Sequence, residues 1–151
     1  MSGKKLLIVI PCYNEEEALP STLKRMETLM NKMLGEKLID KNSRVMFVDD
    51  GSADNTWQIL KKGVGKTPFF EALRLSRNFG HQSAILAGMV DNEADIYVTI
   101  DADLQDDPDC IVEMLQKIKA GADIVYGVRR ERSSDTWFKR VSAQAFYRLL
   151  L

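Results

Sequence analysis

Short apolar runs that alternate with stretches of helical periodicity constrain this chain more than any other feature. Lys5–Ile10 (KLLIVI) is apolar, rich in β-branched residues and closed by Pro11, the pattern of a buried strand. Further strands are expected at Arg44–Val48, Phe70–Leu75, Asp95–Ile100 and Asp123–Tyr126. Between them, apolar residues recur at helical spacing. Leu23, Met26, Met30, Met33 and Leu34 follow Pro20, and Ile111, Met114, Leu115 and Ile118 lie between Pro108 and Gly121. Two shorter helices are expected from Asn55 to Lys62, capped by Ser52 or Asp54, and from His81 to Val90. Thr136 to Leu151 reads as a last helix. The resulting β-α-β-α-β-α-β-α-β-α order implies an α/β fold, with a mostly parallel sheet and helices on both faces. The methionines on these stripes read as core.

Composition excludes several classes. A chain of 151 residues suits one domain, and a 45% hydrophobic content argues against a charged disordered tail. A net charge of −1 argues against coating nucleic acid. Two cysteines, Cys12 and Cys110, are too few for a disulfide framework and suit a reduced, intracellular protein. Runs such as Leu6–Ile10 fall far short of the roughly 18–20 residues of a membrane span. The apolar stretch after Lys4 and Lys5 is likewise too short for a signal peptide. The near-zero charge is a cancellation. Residues 91–109 carry eight acids (Asp91, Glu93, Asp95, Asp101, Asp103, Asp106, Asp107, Asp109) and no Lys or Arg, whereas 129–151 carry a net +4.

In open α/β sheets, ligands bind beyond the carboxyl ends of the strands. The unusual polar residues of this chain follow its expected strands: Pro11, Tyr13, Asn14, Glu15 and Glu16; Asp49, Asp50, Gly51 and Ser52; Ser76, Arg77, Asn78 and Gly80; Asp101, Asp103 and Gln105; Gly127, Arg129 and Arg130. Asp101-Ala102-Asp103 is the sharpest of these. In an extended segment two carboxylates at i and i+2 face one side, and Gln105 shares it. Such an all-oxygen set suits Mg2+ or Mn2+ shared with substrate phosphates. Zinc is disfavoured, because His81 is the sole histidine and the cysteines are far apart in sequence. Asp106, Asp107 and Asp109 read as solvated acids at a helix start. Asp49 and Asp50, at a strand end, suit a ribose or base contact, while no G-x-G-x-x-G follows the first strand and no P-loop occurs. His81 reads as a cap or polar contact and Cys12 as packing.

The motifs IPCYNEEEALPSTL, VDDGSADNTW, LSRNFGHQSAILAGM, DADLQDDP and GVRRER, in this order, resemble the family-2 glycosyltransferases of the GT-A fold. More narrowly they resemble the polyprenyl-phosphate sugar transferases, that is dolichol-phosphate mannosyltransferases and bactoprenol glucosyltransferases. The resemblance implies a Rossmann-like catalytic domain over 1–151, with a nucleotide-sugar core at about 4–130. Residues 131–151 would begin an acceptor- and membrane-proximal helical region of a longer protein. It implies that Pro11, Tyr13, Asn14, Glu15, Asp49, Asp50 and Ala102 hold a UDP- or GDP-sugar. Asp101, Asp103 and Gln105 would hold Mg2+ or Mn2+, and Arg129 and Arg140 the phosphate of a polyprenyl acceptor. Asp101, Asp103 and Arg129 would be the catalytic set of an inverting hexosyl transfer. The implied location is the cytoplasmic side of a membrane, in cell-envelope synthesis, with the present chain itself soluble and homo-oligomerisation left open. Phe138, Val141, Ala145 and Leu149 form a stripe, with Lys139 and Arg140 off it, that suits an interfacial helix.

Three alternatives stand beside this reading. One is a same-fold glycosyltransferase with a saccharide hydroxyl acceptor, which needs a general base. Another is a haloacid-dehalogenase-like phosphatase, whose D-x-D normally follows the first strand. The third is a non-catalytic receiver-type module, which also has an acidic pair after a strand.

Overall fold

Strand β1 (Leu6–Cys12) is buried along its whole length, as a continuous apolar run must be when both faces of its sheet are covered. In the computed structural model, which describes residues 3–128 except 91 and 106, it is joined by β2 (Arg44–Asp49), β3 (Phe70–Arg74) and β4 (Ile96–Thr99). The helices are α1 (Leu19–Gly35), α2 (Thr56–Val64), α3 (His81–Met89) and α4 (Cys110–Lys119). All strand pairs are parallel, in the order β3-β2-β1-β4. Ile8 sits opposite Val45 on one side and Val98 on the other. The chain steps outward from β1 to β3 and then crosses back to lay β4 on the other flank of β1. The order therefore reverses between β1 and β4, and connections leaving that point in opposite directions open a crevice at the carboxyl ends.

The two-residue alternation of the strands sorts the core into two faces. Leu6, Ile8, Ile10, Val45 and Phe47 pack with Leu19, Met26, Leu29, Met30 and Met33 of α1, Leu60 of α2 and Ile111 of α4. Phe47 meets Phe70 edge-on at 5.3 Å between ring centroids. Leu7, Val9, Met46 and Val48 face the other way, onto Ala84 of α3. Helix α3 comes close because it offers small residues. A Cβ on Gly88 would lie 2.6 Å from Val9 Cγ1 and 2.9 Å from Val48 Cγ2.

Two expectations change. Ser52 does not cap α2; the Thr56 N–H donates to Asp54 Oδ1 at 2.9 Å, and the Ser52 hydroxyl accepts the Asn14 N–H. The expected fifth strand at 123–126 is absent. Ile124, Tyr126 and Val128 are 70%, 80% and 83% exposed, and a trough of about 750 Å³ separates 121–127 from β4. β-branched composition fits a residue to a sheet surface but supplies no partner for its backbone. Among the described residues, no strand pairs with 123–126. The helix expected at 136–151 lies outside the described residues.

Gly88→Ala tests the close approach. Helix propensity alone favours alanine by up to about 1 kcal/mol, but overpacking a stiff valine costs about 1–3 kcal/mol. A net loss of about 1 kcal/mol in urea unfolding is expected; a more stable variant would contradict this packing.

Candidate functional site

The loops at the carboxyl ends of β1 and β2 are bolted together before any ligand is considered. Leaving β1, Asn14 turns the chain with φ 54°, a conformation asparagine tolerates. Its N–H donates to Ser52 Oγ at 2.9 Å, and its Oδ1 accepts the Ala53 N–H at 2.9 Å. The Glu15 N–H donates to Thr56 Oγ1 at 2.8 Å, and the Glu16 N–H to Asp54 Oδ2 at 3.1 Å. Glu16 Oε2 in turn accepts from the backbone and side chain of Asn55. Each loop thus satisfies backbone donors of the other. Burial acts to raise the pKa of Asp54, but hydrogen bonds from Thr56 and from the Glu16 backbone prevail and hold it below the usual range.

The next loop is held as firmly. Asp50 Oδ1 accepts the Phe79 N–H at 2.7 Å and Oδ2 the Gly80 N–H at 2.9 Å. Gly51, at φ 69°, lies so close that a Cβ would be 2.4 Å from the Arg77 carbonyl carbon. These contacts bring Asn78, Gly80 and the start of α3 to the mouth of the β1/β4 crevice. Asp49 is fully buried beneath: Oδ1 accepts the Ser52 N–H at 3.0 Å. Arg74 Nε stands 3.0 Å from Oδ2 and neutralises it by proximity, without a directed hydrogen bond.

From the β4 side comes Asp101-Ala102-Asp103. The segment is a turn rather than an extension of β4: the Leu104 N–H donates to the Asp101 carbonyl at 3.2 Å, and Leu104 takes φ 49°. Both carboxylates nevertheless line one cleft of about 310 Å³, together with Pro11, Tyr13, Glu15, Asp50 and Ala102. Asn14 and Asp49, also expected at a nucleotide, are not among its lining; both serve the loop contacts above. Gln105 turns away with Leu104 and lines a separate groove with Ser21 and Lys24 of α1. Arg129 and Arg140 lie outside the described residues. A second hollow of about 400 Å³ shares Pro11 and Asp101 with the first and is lined by Ile85, Val98, Thr99 and Met114. Together the two volumes are of the size that small-molecule sites occupy.

The cleft is electronegative. Burial raises the pKa of Glu15, and the charges of Asp103, Asp54 and Asp101 raise it further. His81 Nε2 stands 3.8 Å from Asp101 Oδ1, at the start of α3. Among the described residues, no group of three or more His, Cys, Asp or Glu side chains is gathered closely enough to hold a metal alone. Asp101 and Asp103 offer two exposed carboxylates with oxygen donors only. They fit a hard divalent cation that takes its remaining ligands from water and from a bound phosphate. Cys12 is buried, and that burial, with the charges of Glu15 and Asp49, pushes its thiol far up and out of reactive range.

Sequence reasoning missed Thr22. It lies on the buried stripe of α1 between Leu19 and Met26, and its hydroxyl donates to the Ala102 carbonyl at 2.6 Å. The signal was present: a hydroxyl on an apolar stripe must find a partner.

Known proteins resemble the chain at this level. The family described as Glycosyl transferase family 2 matches residues 7–150. The Bacillus subtilis (strain 168) protein named uncharacterized glycosyltransferase YkoT is 44% identical over 147 residues, covering 96% of this chain and 44% of its own length. Residues 1–349 of S. aureus TarS align at a TM-score of 0.59 and 20% identity, over 87% of this chain and 40% of that one. The mannosyltransferase PcManGT of Pyrobaculum calidifontis, in complex with GDP-Man and Mn2+, aligns at 0.56 and 19%, over 67% and 28%. The two structures share the fold. The chain spans less than half the length of each of these three proteins.

Charge repulsion in the cleft gives a prediction. In metal-free buffer at pH 7, Glu15→Gln should unfold at a higher urea concentration than the parent protein. The penalty exists only while Glu15 is ionised, so the advantage should fade as pH falls and vanish by about pH 4. An equal or lower midpoint at pH 7 would contradict the electrostatics described.

Proposed function

The chain belongs to glycosyl transferase family 2, and from that premise we propose that it transfers a hexose from a UDP- or GDP-sugar to a polyprenyl phosphate, with inversion and with Mg2+ or Mn2+. The reading rests on one observation: Asp101 and Asp103 share a cleft with Pro11, Tyr13, Glu15 and Asp50 where the strand order reverses. In this reading Pro11, Tyr13 and Asp50 receive the nucleoside, the half-exposed Tyr13 ring offering a surface to the base. Asn14 and Asp49 hold the loops beneath. Asp101 and Asp103 hold the cation, and Gln105 is set aside because it faces another groove. When bound, the cation offsets the charge that develops on the departing nucleoside diphosphate. Ala102, buried between the two aspartates, keeps the turn against the cleft floor.

The acceptor is carried by the resemblance of the motifs to the polyprenyl-phosphate sugar transferases. A hydroxyl acceptor needs a general base. A phosphate monoester, with a second pKa of about 6, is already ionised near neutral pH and needs none. Arg129 and Arg140 are assigned to that phosphate, where guanidinium forks offset the repulsion between two anionic substrates. The basic 129–151 segment would meet an anionic membrane at its cytoplasmic face. No helix among the described residues is long and apolar enough to cross a membrane. Family membership sets aside the phosphatase and the receiver module.

Calorimetry with UDP and GDP, with and without Mn2+ or Mg2+, tests the proposal. One nucleotide should bind about tenfold or more tightly with metal, a gain of about 1.4 kcal/mol. Asp103→Ala should abolish that gain. Failure of a folded sample to bind either nucleotide would refute the proposal.

A further inference from the structure

We propose that Thr22 is a positioning residue that holds the Asp101–Asp103 turn in the cleft, and thereby sets how strongly a divalent cation reinforces nucleotide binding. The second half rests on the reading of the cleft given above. Thr22 is fully buried, and its hydroxyl lies 3.0 Å from the Ala18 carbonyl and 2.6 Å from the Ala102 carbonyl. The first contact is the one a helical threonine ordinarily makes to the residue four before it, but the hydroxyl has a single proton to share between the two carbonyls. The second joins α1 to a turn 80 residues away and is the shorter. Among the described residues, the other hydrogen bonds made by the backbone of 101–105 stay inside the turn: Leu104 N–H to the Asp101 carbonyl, and Gln105 N–H to Asp103 Oδ1. The turn therefore has local shape of its own; Ala102 and Leu104 pack it on the core, and Thr22 supplies the hydrogen bond that ties its backbone to α1.

Helix α1 is a rigid mount. Leu19, Met26, Leu29, Met30 and Met33 on the same stripe are buried in the core. Its position is set by apolar packing, not by the cleft. Asp101 and Asp103 flank Ala102, so a shift of that carbonyl carries both carboxylates with it. A buried carbonyl without a donor must regain water. The turn can do that only by swinging away from α1, which would spread the two carboxylates relative to Glu15 and Asp50.

Thr22→Val keeps the shape and removes the hydroxyl; Thr22→Ala removes it and leaves a void instead; Thr22→Ser keeps it. Two readouts apply: amide hydrogen exchange over 101–105 in the nucleotide-free protein, and the ratio of UDP or GDP affinity with and without Mn2+. In Thr22→Val and Thr22→Ala, exchange should rise and the Mn2+ enhancement should fall, each by about tenfold, while nucleotide affinity without metal stays near the parent's. Thr22→Ser should restore both. Parental exchange in the valine and alanine variants overturns the proposal, as does raised exchange with an unchanged Mn2+ ratio. Absence of any Mn2+ enhancement in the parent protein would instead bring down the reading of the cleft, and the exchange data would still decide whether Thr22 holds the turn.

Discussion

The exchange of hydrogen bonds between the loop after β1 and the loop after β2 is the constraint on which the rest of this architecture depends. Parallel strands end with backbone groups that no neighbour pairs, and loops over a cleft have no regular ladder to satisfy them. Here Ser52, Asp54 and Thr56 accept the N–H groups of Asn14, Glu16 and Glu15, and Asn14 and Glu16 accept in return. Because each bond joins residues 38–41 apart, the two loops keep one relative position. Asp50 extends the same logic to Phe79 and Gly80. The cleft is thus pre-formed from three loops, and what remains to be placed is the aspartate turn opposite.

The charge segregation of the chain takes on a more specific meaning in this setting. The acidic stretch 91–109 does not act as one patch. Asp95 accepts the Lys5 N–H at the far end of the sheet, and Asp107 and Asp109 pair with Arg25 of α1. The Asp109 N–H, which donates to Asp107 Oδ1 at 3.0 Å, together with Arg25 holds Asp107 below the usual carboxylate range. Of the described acids in this stretch, Asp101 and Asp103 line the 310 Å³ cleft with Glu15 and Asp50, where negative charge accumulates and a cation is wanted.

Most of the sheet was legible in the sequence because its strands are short and apolar and its helices carry clear stripes. β1, β2, β3 and β4 fall within one or two residues of where patterning places them. The run at 123–126 misled because a short apolar, β-branched run reports a fit to a sheet surface and says nothing of a partner edge. Asp101 and Asp103 were legible as a pair, though the geometry bringing them together is a turn and not the extended spacing invoked. Gln105 was not legible, since a residue in the left-handed region at Leu104 re-aims everything after it. Asp49 and Asp50 look alike on paper; only the three-dimensional arrangement shows one beneath the loop on Arg74 and the other facing the cleft.

The central claim is that a nucleoside diphosphate and a divalent cation meet between β1 and β4, on Asp101 and Asp103. Paramagnetic broadening of backbone amide signals by Mn2+ in the presence of UDP or GDP tests it most directly. The amides of 13–15, 79–81 and 101–104 should lose intensity first, and only when nucleotide is present together with the ion. Broadening centred instead on Asp107 and Asp109, on the groove that holds Gln105, or indifferent to nucleotide would contradict the account.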